Sequence, residues 1–140
     1  MTEDFDRQWR TLAQSALRIA AGLLYFSHGT QKLFGLFGGF GGVAGATAPL
    51  MSRFGAAAVI ETVCSTCLIL GLFTRPLAFI ASGEMAVTYF WMHWGGSGQM
   101  WWWQNHGELP ILFCFIWFLF AAWGAGPFSI DATMQKQKVG

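Results

Sequence analysis

Four apolar stretches, Leu17–Phe37, Phe54–Phe73, Pro76–Trp94 and Gly107–Ala125, take up most of this chain, and each is close to the length of a membrane span. A helix needs ~20 apolar residues to cross ~30 Å of hydrocarbon, so four such stretches in 140 residues predict a membrane protein with little outside the bilayer. Composition agrees: hydrophobic residues make up 54% and charged residues 11%, whereas a water-facing globule covers itself with about 25% charged residues. The expected fold is all-α, an integral membrane four-helix bundle. Its predicted organisation is a polar N-terminal segment (1–16), a four-span membrane domain (17–131) and a polar C-terminal tail (132–140). No removable signal peptide is expected, because the first fifteen residues carry Asp4, Asp6, Arg7 and Arg10 and no apolar core.

Gly and Pro punctuate the connections. The first holds Gly38, Gly39, Gly41, Gly42 and Gly45, the second bends at Thr74-Arg75-Pro76, and the third contains Gly95, Gly96 and Gly98 before Trp101-Trp102-Trp103. The tryptophan run reads as an interfacial anchor. Arg7, Arg10 and Arg18 precede the first span, Arg75 separates the second from the third, and Lys136 and Lys138 follow the fourth. With an even number of spans these cations share one side, and the positive-inside rule makes it the cytoplasm. The expected location is thus the cell (inner) membrane, with both termini cytoplasmic. A net charge of +1 without a basic run argues against a nucleic-acid partner.

An ionisable group in mid-span costs roughly 2.5–3.5 kcal/mol on insertion scales, so each needs a reason. The first span carries His28 and Lys32, four residues apart and on one face; the second carries Glu61, about two turns from its outer end; the third carries Glu84 and His93. The fourth opens on Asn105-His106-Gly107-Glu108. Apart from Glu84, nearer the midplane, these groups fall in the outer half. Either they form a polar clasp that fixes helix register, or they line an outward-facing pocket for a small polar or quinone-like molecule. Glu84 is expected to pair with Lys32 or His28, or else to stay protonated. Glu84 and His93 lie nine residues apart, about 900° around an α-helix, and are expected on opposite faces; Glu84 shares its face with Thr88 and Trp91.

Cys64-Ser65-Thr66-Cys67 has the C-x-x-C spacing of redox dithiols, but it lies inside the second span, where apolar surroundings disfavour a thiolate. Small residues suited to close helix packing are the alternative. With Cys114 the sole other cysteine and no ligand spacing among the three histidines, no metal site is expected.

These polar positions resemble the DoxX-like membrane proteins. The likeness rests on His28-Gly29-x-x-Lys32-Leu33-Phe34-Gly35, Glu61, Gly71-Leu72-Phe73-Thr74-Arg75-Pro76, Glu84-Met85-Ala86-Val87-x-Tyr89-Phe90 and His93. It continues through Asn105-x-Gly107-Glu108 and Gly126-Pro127-x-Ser129-Ile130-Asp131, covering about Arg18 to Asp131. The family is similar to a subunit of thiosulfate:quinone oxidoreductase and has members associated with membrane oxidoreductase complexes. The resemblance implies a redox component in which Glu61, Glu84 and Glu108 act chemically while His28, Lys32, Glu61, Glu84 and His106 bind the ligand. A quinone is the cofactor it suggests, and membrane lipid, an oxidoreductase partner subunit and further copies of the chain are the partners. Two departures stand out: His106 takes a position usually occupied by glycine, and Cys64 and Cys67 replace Gly or aliphatic residues. The competing reading is a non-catalytic accessory subunit, with Gly22, Gly29 and Ala56-Ala57-Ala58 as contact faces. Four spans are too few for an inverted-repeat carrier without oligomerisation.

Overall fold

The computed structural model describes residues 2–139; Met1 and Gly140, the ends of the two expected polar segments, lie outside the described residues. The described chain is all-α. Its helices are α1 (Thr2–Phe34), α2 (Arg53–Leu70), α3 (Thr74–Thr88), the short α4 (Gly95–Ser97) and α5 (Trp102–Asn105), α6 (Glu108–Trp123) and α7 (Ile130–Val139). A π-helical stretch, Tyr89–Trp94, joins α3 to α4, and a 3-10 turn, Phe40–Gly42, lies in the first connection. The expected polar segment is, over its described part, the beginning of α1, and the expected polar tail is mostly α7.

Of the described helices, α2 alone is both long and apolar enough to cross a membrane by length and composition, while α6 is apolar but shorter. The reason is local. The helix that holds the first apolar stretch also carries Arg18, His28 and Lys32, and the third apolar stretch is divided between α3 and the π-helical segment.

Helices α1 and α2 pack side by side, as do α3 and α6, with α2 also against α3. The α1–α2 contact depends on two glycines seven residues apart. A Cβ on Gly22 would fall 2.6 Å from the Ile69 side chain, and one on Gly29 would fall 2.6 Å from the backbone nitrogen of Thr62. The small-residue face formed by Gly22 and Gly29 is therefore a contact within the chain. Gly29→Ala should destabilise the protein by about 1–3 kcal/mol, because the clash is with backbone and the helices must separate; an unchanged unfolding midpoint would contradict this packing.

The core between the two helix pairs contains Tyr25, Leu68, Ala78, Phe113, Trp117 and Phe120. One end of the molecule is closed by polar clasps. The buried Arg18 guanidinium donates to the carbonyls of Leu68 (2.8 Å), Ile69 (2.9 Å) and Phe128 (2.6 Å), capping the end of α2 with a cation where the helix dipole is negative. The Asp131 carboxylate accepts from the backbone N–H groups of Phe73 (2.8 Å) and Thr74 (2.9 Å) at the start of α3. Arg75 donates to Ala122 O (2.8 Å) at the end of α6. Gly71 makes the α2–α3 turn in the left-handed region at φ 67°, and a Cβ there would strike Ser129 and the Arg18 guanidinium. With this end sealed, the opposite end is left to carry a site.

Candidate functional site

Towards that opposite end, α1, α2, α3 with its π-helical continuation, and the α5–α6 corner enclose a cavity of about 680 Å³. That volume is within the ~300–1,000 Å³ typical of ligand pockets. Its walls are mostly apolar, with Ile60, Met85 and Phe113 among them, and a few polar side chains converge on it from all sides.

Lys32 and Glu61 form its fixed charge pair. The ammonium donates to both Glu61 oxygens, at 2.5 and 2.6 Å, and the carboxylate is almost completely buried. Gly29, one turn before Lys32, makes this possible by letting α1 lie directly against Thr62 and Glu61. The cation expected beside Glu84 is thus committed to Glu61. Glu84 is held instead by neutral hydroxyls: Tyr25 donates to one oxygen at 2.9 Å and Thr88, one helical turn on, to the other at 2.8 Å. Both carboxylates border the cavity, as do His28 and Lys32.

The structure corrects the sequence reading at His93. Glu84 and His93 both line the cavity, because the α-helical count of 100° per residue does not hold across Tyr89–Trp94. This π-helical segment, with i→i+5 bonding, has wider turns and rotates His93 back towards the face of Glu84. The His93 ring is held through Nδ1 at 2.9 Å from the carbonyl of Asn105. Asn105 is itself buried and anchors the corner, donating to Gln99 O at 2.8 Å and accepting from Gly107 N–H at 2.8 Å. The Tyr89 hydroxyl donates to the Met100 carbonyl and ties the same loop to the π-helical segment.

His106 borders the cavity and has φ 57°. A glycine is at ease in this left-handed conformation, and histidine is among the side chains enriched there, which accounts for the departure noted at this position. Glu108, expected among the chemical groups, follows this turn. That carboxylate is exposed in the first turn of α6, roughly 140° around the helix from Phe113 at 100° per residue, and it does not line the cavity. Its position suits the positive end of the helix dipole.

Cys64 and Cys67 are free thiols and lie outside the cavity lining; Cys64 is buried in the apolar core with Leu68. Among the described residues, no group of three or more His, Cys, Asp or Glu side chains is arranged to hold a metal ion. Tyr25 was not foreseen as a site residue. Its only sequence signal is its place three residues before His28 on the face of α1 that carries Lys32 seven residues on.

Fold and site together define a helical protein whose apolar cavity is bordered by one Lys–Glu pair with a buried carboxylate and by a second carboxylate bound by hydroxyls. The family model for DoxX matches residues 13–94. A protein of Haemophilus influenzae, described as uncharacterized, is 38% identical over 131 residues, covering 93% of this chain and 96% of its own. The chain belongs to the DoxX family. No solved structure matches it. The matched residues include Lys32, Glu61 and Glu84 but stop before His106 and Glu108.

Proposed function

We propose that this protein is a multi-pass membrane component that binds a quinone-like molecule in the cavity between its helices and supports redox chemistry there with a partner. The observation carrying the site is the placement of Glu84: it borders an apolar cavity, makes no ion pair among the described residues, and is oriented by Tyr25 and Thr88.

An inverted distribution of side chains supports the membrane setting. Arg18 and Glu61 are each 1% exposed, whereas Phe79, Phe115 and Phe118 on the outer faces of α3 and α6 are 67%, 66% and 57% exposed. Water disfavours such an apolar exterior and lipid favours it. The first two spans run within α1 and α2, the third along α3 and its continuation to Ser97, and the fourth along α6. Arg18, Arg75 and the chain leading into α7 gather at one end, which the positive-inside rule assigns to the cytoplasm with both termini. Trp101 and Trp103, stacked on each other, and Trp102, edge-on to both, are exposed at the other end and are the interfacial anchor.

A quinone bound here would supply the electron-accepting couple. The chain's own residues would do three things. The Lys32–Glu61 pair holds α1 and α2 together and keeps a fixed dipole at the wall. The apolar lining excludes water from around the ring. Glu84, each of whose oxygens has a lone pair beyond its bond to Tyr25 or Thr88, accepts a hydrogen bond from a ligand hydroxyl and can exchange a proton with it. His28 and His93 are the neighbouring groups suited to pass that proton on.

The direct test is native mass spectrometry of the gently solubilised protein, with identification of any small molecule released. A quinone at one per chain supports the proposal, and Glu84→Gln should then weaken its binding roughly tenfold to a hundredfold, the worth of one charge-assisted hydrogen bond at about 1.5–3 kcal/mol. A folded Glu84→Gln protein with unchanged quinone content and activity would remove Glu84 from the mechanism. An accessory role is the second reading, and Phe5, Trp9 and Leu12 favour it: they are exposed along the first turns of α1, where a partner subunit could cover them. A stoichiometric protein partner with no small molecule would select that reading.

A further inference from the structure

The geometry points to a lateral mouth between α2 and α3, through which an apolar-tailed ligand reaches the cavity from the lipid rather than from the water above the loops. The inference rests on the reading of the cavity as a ligand site within the membrane.

The two helices meet closely at their shared turn, where Leu68 and Ala78 are fully buried. Further along, Ala56 on α2 and Ile80, Val87 and Trp91 on the α3 side line the cavity and are exposed, so the cavity is accessible along this seam. Small side chains on α2, Ala56 and Ala57, leave the gap open on that side. On the opposite side, aromatic and proline side chains fill the wall between α1 and α6. The Phe113 ring lies 5.7 Å from Tyr25 and 6.3 Å from His28 between ring centres, and Pro110 is buried beside it.

The chemistry grades from one part of the opening to the other. Glu84 and Thr88 lie deep on the same face of α3 as Ile80, Val87 and Trp91, at helical spacings of three and four. A ligand with a hydrogen-bonding ring and an aliphatic or isoprenoid tail fits this arrangement, with its ring at Glu84 and its tail passing between Ala57 on α2 and Val87 on α3 into lipid. A small water-soluble anion has no use for such an apolar passage.

The test is equilibrium binding to the full chain in lipid nanodiscs, using benzoquinone and naphthoquinone rings, each with and without an isoprenoid tail. Val87→Trp narrows the mouth from a position that is already half exposed, and Ala57→Phe narrows it from α2. Matching unfolding midpoints establish that the variants are folded, and Val87→Trp, which adds bulk outside the core, keeps the test valid if Ala57→Phe does not fold. The expected result is a loss of at least about tenfold in affinity for the tailed quinone, with the tailless ring bound as by the wild type. Unchanged binding of the tailed quinone by folded Val87→Trp overturns the mouth, and so does a parallel loss of tailed and tailless forms. Wild-type protein that binds neither form contradicts the proposed function instead, so the two failures are distinct.

Discussion

Lys32→Met should destabilise the protein by about 3–5 kcal/mol, because it leaves the Glu61 carboxylate buried with no cation. Glu61 is 1% exposed and both of its oxygens receive hydrogen bonds from Lys32, so no other group takes over. The double variant Lys32→Met/Glu61→Gln removes the charges together and should recover most of the loss, since a buried pair contributes little net stability when both partners go. Unfolding midpoints of wild type, both single variants and the double variant in one detergent give the coupling directly. Equal stability of wild type and Lys32→Met would mean that the pair does not form. The double variant also separates structure from chemistry: if it folds and still binds ligand, the pair holds the helices and Glu84 carries recognition.

Arg18→Ala is expected to have a comparable effect for a different reason. One guanidinium serves the carbonyls of Leu68, Ile69 and Phe128 in a nearly water-free setting, and each orphaned acceptor costs about 1–3 kcal/mol. The loss should be about 3 kcal/mol or more, together with fraying at the end of α2. Arg18→Lys should recover only part of it, because an ammonium is a point charge and lacks the fork that reaches two chain segments at once. Hydrogen exchange at the amides of Cys67–Leu72 and Ser129–Asp131 would show whether both segments loosen together. Protection unchanged in Arg18→Ala would refute the clasp.

These expectations differ in how far they were visible in the sequence. Lys32, Glu61 and Glu84 stand out because a charge in an apolar stretch is anomalous wherever it falls. Which carboxylate receives the lysine depends on helix rotation and on how closely Gly29 lets α1 approach α2, and neither is a local property. Arg18 was readable as one of the cations expected to gather on one side; its role as a cap depends on chain segments 50 and 110 residues away.

The apolar stretches by themselves determined that the protein is helical and where its longer helices run, since hydrophobic burial over a helical span is encoded in consecutive residues. The order of the polar positions likewise determined its membership of the DoxX family. Only the tertiary structure decided which polar groups share a site. The π-helical segment changes the angular phase of α3 and brings His93 to the cavity of Glu84, His106 borders that cavity in a left-handed turn, and Glu108 lies outside its lining. Each follows from backbone geometry and from packing between distant segments, which residue spacing does not encode.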